Sequence, residues 1–375
     1  TGPPRGPDPS FVPPDGRHTR DIGGGKTGFK TPADSKNRDF FATVGPRTDT
    51  LEVSPVRRFD GEIGREPPLL TLRSTPDNPV PPGGTLIAVG TRDDCTLRAA
   101  YWQTTARSCR GTICLLQGRA EFIEKYYETI RELRSRGFAV VAFDWRGQGE
   151  SDRRVDDPHK GHVAHFDEYR LDLKAVAETV LVPLMPEPHI GLAHSMGGCV
   201  ALLGALDGWL PFRRLVALAP MLSIRMIRWP AGAALLSRGL HRLGLGSRYI
   251  PFGKPVSIAT KPFAGNRLSR DPVRYARNAA AARQVGAGAV GDPTIAWLAE
   301  AFRAMARLRD PRAAPRIALP TLILAAGADP VCGTPDTERF AARLKAGHIL
   351  VLPDSRHEIL TERDAIRQDF WAAFE

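Results

Sequence analysis

Long apolar runs are missing from this chain. No stretch approaches the ~18 apolar residues that a membrane-crossing helix needs, so no transmembrane segment is expected. A basic stretch followed by an apolar one is also lacking near the N-terminus, so no export signal is visible. Cysteine is scarce and odd in number. Cys95, Cys109, Cys114, Cys199 and Cys332 lie far apart, with no Cys-x-x-Cys pair. That argues against a disulfide scaffold or a zinc site and fits a reducing, cytoplasmic setting. Each is read as a small buried hydrophobe. Lysine is sparse as well, nine against 43 arginines, a bias that a GC-rich genome produces without any nucleic-acid function.

What is present is ordinary globular material. The 375 residues are 42% hydrophobic and 25% charged, enough for a sizeable core, and the length allows two domains or one large domain with an insertion. The net charge of +11 is unevenly spread. Residues 221–320 hold 17 basic and four acidic groups, whereas 71–220 hold 18 of each. A nucleic-acid binder that is basic throughout would not look like this, so no nucleic-acid partner is expected.

Residues 1–69 are rich in Pro, Gly, Asp and Arg and show no sustained period, so they are expected to be a disordered or non-native tail. Gly23-Gly24-Gly25-Lys26-Thr27 lacks the spaced first glycine, the strand and the helix of a phosphate loop. Order is expected from residue 70. Short β-rich runs at 85–89 and 97–103 read as an antiparallel lead-in, and 111–116 as a buried strand. Further strands are expected at 138–143, 189–193, 215–219, 321–325 and 348–352. Helical spacing marks 121–136, 166–181, 196–206, 335–344 and 361–374. This alternation predicts a mainly parallel, doubly wound α/β sheet. Residues 70–220 and 319–375 form its core, and 221–318 break the alternation as a helical, Arg-rich insertion at the ligand-binding end of the strands.

The strongest chemical signal is Ile190-Gly191-Leu192-Ala193-His194-Ser195-Met196-Gly197-Gly198. A strand runs into Ser195 and a helix runs out. A serine on so sharp a turn is backbone-strained, and its neighbours two residues away must be small, as Ala193 and Gly197 are. The hydroxyl then sits at a helix N-terminus, where free N–H groups favour developing negative charge. Serine needs a base, and the base needs an orienting acid. In chain order Ser, acid, His, at strand C-termini, the candidates are Asp329 after 321–325 and His357 after 348–352. Asp354 competes as the acid. His194 is expected to point away from Ser195, and His159, His162 and His165 fall in a loop. Oxyanion donors are expected from the backbone N–H groups of Met196 and Arg119, with Gly118 permitting close approach. Asp144 and Arg146, in the turn after 138–143, are expected to form an ion pair bracing the site floor.

These residues carry a resemblance. From about residue 75 onward, the chain is similar to α/β-hydrolases of the bacterial lysophospholipase and monoacylglycerol-lipase-like (serine-aminopeptidase-like) group. The matching pieces are GRAEFIEKYYE at 118–128, FDWRGQGESDR at 143–153, GLAHSMGG at 191–198, the Gly-x-Asp turn at 327–329 and RHEILTE at 356–362. The group often has His-Gly where this chain has Gln117-Gly118, and Gly in place of Ala193. The resemblance implies a serine ester hydrolase for single-chain acylglycerols or lysophospholipids, needing no metal and no organic cofactor. Other acyl-transfer hydrolysis (amide, aminoacyl-peptide or thioester) on the same scaffold stays open, as does a catalytically silent binding protein. The insertion interleaves Met226, Ile227, Trp229, Leu235 and Leu236 with Arg225, Arg228, Arg238 and Arg242. That pattern suits a lid over an acyl pocket, with peripheral contact to an anionic inner membrane. Reversing Arg225 and Arg228 to Glu is then expected to weaken binding to anionic vesicles. Oligomeric state is not legible.

Overall fold

The computed structural model describes residues 70–375 and, near the start, Gly2 alone; the expected tail otherwise lies outside the described residues. Eight strands form one sheet in the order β1-β2-β4-β3-β5-β6-β7-β8. They are β1 (Gly84–Gly90), β2 (Thr96–Trp102), β3 (Gly111–Leu116), β4 (Phe138–Phe143), β5 (His189–His194), β6 (Arg214–Leu218), β7 (Thr321–Ala326) and β8 (Gly347–Leu352). β2 pairs antiparallel with both β1 and β4. Every other pairing is parallel. This is an α/β-hydrolase sheet.

The parallel body follows from strands that are apolar on both faces. β4 sends Phe138, Val140 and Ala142 one way and Ala139, Val141 and Phe143 the other. The first set packs with Tyr127, Ile130 and Leu133 of α1 (Tyr127–Ser135) and Phe370 of α9 (Asp364–Phe374). The second packs with α2 (Asp167–Val176) and α4 (Met196–Leu206). Each Phe, Val, Ile or Leu among them, removed from water, contributes about 1.5–3 kcal/mol. β8 departs from this pattern. Ile349 and Leu350 are each 37% exposed, because β8 is an edge strand whose outer side has no neighbour in the sheet.

Helix bounds shift where tertiary contacts intervene. The helix expected from 121 starts instead as a 3₁₀ turn (Ile123–Tyr126), whose first N–H is accepted by Asp144 Oδ1 at 3.0 Å. α2 continues through a π turn (Ala177–Leu181) into α3 (Val182–Leu184). Cys109 is exposed, unlike the other four cysteines.

Between β6 and β7 lie α5 (Pro230–Leu240), a π turn (His241–Leu245), α6 (Pro272–Val285) and α7 (Ile295–Arg309). The break in alternation predicts 221–318 as one unit. In the fold, α7 belongs with the sheet: Trp297, Leu298, Ala301, Phe302, Met305 and Leu308 join the core beside α4. A helical period of apolar residues is the same for a cap helix and a core helix, so spacing alone could not separate them. α6 is tied down too. Its Arg274 and Arg277 both pair with Glu128 of α1, so part of the segment's positive charge is neutralised against the core. α8 (Thr334–Ala341) links β7 to β8.

Candidate active site

Four chain segments converge at the C-terminal ends of the strands. Ser195 follows β5 directly, with φ 50° and ψ −110°. That is a conformation a residue with a Cβ avoids unless neighbours enforce it. Three backbone bonds do so. Ser195 N–H donates to Leu218 O at 3.0 Å, and its carbonyl accepts from Cys199 N at 3.0 Å and Met221 N at 2.9 Å. Two residues on, a Cβ at Gly197 would stand 2.2 Å from Leu116 O and 2.6 Å from Gln117 O, so only glycine lets α4 leave the turn. On the other side, the Ala193 methyl is accommodated in the core between β3 and β6.

The structure brings Ser195, His357 and Asp329 into one hydrogen-bonded row. Ser195 Oγ lies 2.9 Å from His357 Nε2, and His357 Nδ1 lies 2.7 Å from Asp329 Oδ2. All three are buried. Asp329 Oδ1 accepts the N–H groups of Val331 at 2.7 Å and Cys332 at 3.0 Å. Burial pushes the Asp329 carboxyl upward, but His357 and these two N–H groups outweigh it and hold the group below the usual carboxylate value. An ionised Asp329 suits a partner that keeps Nδ1 protonated and leaves Nε2 facing the hydroxyl. The competing acid, Asp354, points into solvent beside Arg270. His159, His162 and His165 bond elsewhere; His162 Nδ1 meets Thr294 Oγ1 at 2.9 Å.

The loop after β3 supplies Gly118 and Arg119. Among the described residues, neither Arg119 N–H nor Met196 N–H has an acceptor, whereas Gly118 N–H is taken by Glu121 Oε2. The Arg119 side chain turns to the insertion, with Nη2 donating to Gly291 O at 2.5 Å and the guanidinium 5.2 Å from the Trp297 ring centre. Burial without a bonded carboxylate draws that guanidinium down to about 10. Gln117 is wholly buried, and neither atom of its amide has a partner among the described residues.

Asp144 and Arg146 do not pair with each other. Asp144 binds Arg98 at 2.6 Å and accepts the N–H groups of Ile123 and Glu150. Arg146 instead pairs with Asp172 at 2.7 Å and with Asp93 at 2.6 Å. Asp144 does support the site indirectly. The next residue, Trp145, donates its Nε1–H to Gln117 O at 2.9 Å, fixing the loop that carries Arg119.

Sequence reasoning missed two clusters. One is Arg98, fully buried among Asp144, Glu124 and Glu150. The other lies beneath the row, where Lys125 Nζ bridges Glu121 and Glu358 at 2.6 Å each and Tyr126 O–H donates to Glu121 at 2.6 Å. The Glu121–Lys125 spacing of four residues was a legible hint; burial was not. Cys332, expected as a packing residue, is buried. Its thiol joins Asp329 and His357 in a group whose donor atoms lie within 4.8 Å of one another. Burial raises that thiol well above its ordinary value, and the carboxylate and imidazole are already bonded to each other. A thiol kept protonated and a carboxylate already committed to the imidazole make this a poor metal site.

Comparison with known proteins agrees with the fold. Residues 107–364 match the family described as serine aminopeptidase, S33. Lysophospholipase L2 of Escherichia coli K12 is 33% identical over 293 residues, covering 73% of this chain and 82% of that protein. Among solved structures, a soluble variant of monoglyceride lipase from Saccharomyces cerevisiae superposes with a TM-score of 0.58 at 17% identity, covering 75% of this chain and 90% of that one. The monoacylglycerol lipase of Paleococcus ferrophilus gives 0.57 at 23% identity, covering 74% and 96%.

Proposed function

Because the chain belongs to the serine aminopeptidase, S33 family and is a carboxylic ester hydrolase of esterase or lipase type, we propose that it cleaves the acyl ester of a lysophospholipid or monoacylglycerol through an acyl-enzyme on Ser195. Ser195 Oγ attacks the ester carbonyl carbon while His357 Nε2 takes the hydroxyl proton. Asp329 holds the imidazole in register and stabilises its cation. The tetrahedral oxyanion rests on the N–H groups of Arg119 and Met196, each donor contributing about 3 kcal/mol to the transition state. Collapse expels the glycerol-side alcohol, which leaves with the proton from His357. Water, deprotonated by the same imidazole, then attacks the acyl-enzyme, and fatty acid departs as Ser195 recovers its proton.

The observation that carries this reading is the unbroken Asp329–His357–Ser195 row at 2.7 and 2.9 Å. The choice of a single-chain lipid draws on the E. coli relative. The family's description keeps aminoacyl amides in view as a second substrate class. A hydrolysis panel separates them: lysophosphatidylcholine, monoacylglycerols, short p-nitrophenyl esters and an aminoacyl amide. The single-chain lipids are expected to show the highest kcat/KM. An aminoacyl amide as the preferred substrate would overturn the assignment.

The insertion supports a docking role at an anionic bilayer. From 208 to 270 there is no acidic residue, while nine cations fall between Arg225 and Arg270. α5 is inverted relative to an ordinary surface helix. It buries Ser237 and exposes Leu235 (75%) and Leu236 (55%); Trp229 and Leu243, at its two ends, are each 76% exposed. Four large apolar side chains within 15 residues thus stand in solvent. An aromatic and leucine face beside arginines is the composition that enters the headgroup region of anionic membranes. Arg225 drops out of the test expected from sequence, because its guanidinium donates to Asp329 O at 3.2 Å and reversal would disturb the acid loop. Arg228→Glu with Arg238→Glu is expected to weaken sedimentation with phosphatidylglycerol vesicles by roughly tenfold or more, the effect shrinking at high salt. Equal binding of the wild type to neutral and anionic vesicles at low salt would count against this role.

A further inference from the structure

His194 precedes Ser195, and its ring lies on the far side of the turn, buried beside His357 with ring centres 4.9 Å apart. Its Nδ1 faces the Glu121 carboxylate at 3.1 and 3.2 Å, and its Nε2 faces the backbone carbonyl of His357 at 3.1 Å. Both neighbours are acceptors. A neutral imidazole carries one N–H, so either tautomer would press a ring lone pair against an oxygen lone pair in a buried place. Only the doubly protonated ring satisfies both contacts. Glu121 is an acceptor here because donors already surround it: Gly118 N–H, Tyr126 O–H and the Lys125 ammonium. The adjoining cavity of about 10 Å³ has room for one water at most, so solvent offers little relief.

Charge balance agrees. The groups facing His194 are Glu121, Lys125, Glu358 and the His357 ring. With His194 cationic, two buried carboxylates meet two buried cations; with it neutral, one negative charge is left over. Burial alone pulls the imidazole down, but the bonded Glu121 carboxylate outweighs that and Glu358 adds to it, so the ring is held above the ordinary histidine value.

We propose that His194 is a standing imidazolium that acts as a positioning residue, pinning the oxyanion loop at Gly118 and the base loop at His357 to the nucleophile turn. The inference rests on the catalytic reading of Ser195, Asp329 and His357. Its proton is not transferred in the reaction; it holds the geometry in which transfer occurs. A Cβ at Gly118 would stand 2.8 Å from Glu121 and 2.9 Å from His194 Nδ1, so the oxyanion loop lies directly on this pair. A group whose folded value is raised gives its full support below its unfolded value and loses it as pH climbs through the folded one. The strut therefore fails on the alkaline side.

Two measurements test this. Side-chain ¹⁵N spectra of the histidines in the intact protein are expected to show one ring with both nitrogens protonated at neutral pH and above. That signal should vanish in His194→Gln and move in Glu121→Gln, which identifies it even if one variant folds poorly. In parallel, kcat is measured per active site, counted with a fluorophosphonate. His194→Gln and Glu121→Gln are expected to lose roughly 10- to 100-fold in kcat with KM within about threefold, because misplacement by an ångström penalises the transition state more than binding. The alkaline fall of kcat in the wild type should change in both. A His194 that is neutral at neutral pH overturns the proposal. So do variants with wild-type kcat per labelled site and only a lower Tm. Absence of any fluorophosphonate labelling would sink the catalytic reading instead, while the spectra would still report the charge of His194.

Discussion

Ser195→Ala is expected to remove ester hydrolysis almost entirely, by roughly four to six orders of magnitude in kcat, and to abolish labelling by a fluorophosphonate. The hydroxyl is the nucleophile of the row, held against the free nitrogen of the base. His357 can activate water without it, but no nucleophile is then held at 2.9 Å from Nε2. What survives would be the background supplied by the oxyanion donors and by binding. The fold should be unharmed, because the strained backbone at Ser195 is held by Leu218 O and by the N–H groups of Met221 and Cys199, none of which involves the side chain. Tm within a few degrees of the wild type together with lost turnover is therefore the expected pair of readings. Equal labelling of variant and wild type would place the nucleophile elsewhere.

The largest effect on stability is expected at Arg98, a residue that touches neither substrate nor base. Its guanidinium lies in β2, wholly buried, with bonds of 2.6 to 2.8 Å to Asp144, Glu124 and Thr71 O. Arg98→Met keeps an unbranched apolar stem and removes the guanidinium that makes these bonds. Asp144 and Glu124 are then left buried without their cation, a loss of about 3–5 kcal/mol. For a domain of this size that lowers Tm by roughly 5–10 °C. The pH dependence gives a second check. Burial already holds the Asp144 carboxyl above its ordinary value despite Arg98, and without the guanidinium it would rise further. A carboxyl raised in the folded state costs stability as pH increases, so the deficit should be widest at neutral pH and shrink in acid. A Tm unchanged by Arg98→Met would show that the cluster contributes little. Activity should fall alongside Tm, because the same turn carries Trp145 and, through Gln117, the Arg119 loop.

Much of the fold was legible because its signals are local. β3 and β4 begin and end where the apolar runs do, and so does α4, whose start is set by a serine in an impossible place for an ordinary turn. The order Ser195, Asp329, His357 could be read from strand ends alone, since each follows a strand by only a few residues. The bounds of the insertion were not legible. α7 and α5 carry similar periodic leucines, yet one lies against α4 in the core while the other holds Leu235 and Leu236 in solvent. Nor did sequence tell that Asp144 and Arg146, two residues apart in one turn, would reach opposite partners.

The amino-acid order by itself determined a mostly parallel sheet, a serine at the head of a helix, and which acid and which imidazole follow it. Those are statements about near neighbours, which periodicity, glycine and turn chemistry control. Only the tertiary structure decided which charges are buried and with whom. Arg98 with Asp144, and His194 between Glu121 and the His357 carbonyl, are separated by 46, 73 and 163 residues. Desolvation makes those distant pairs matter, and desolvation is a property of the packed whole that no stretch of chain carries alone.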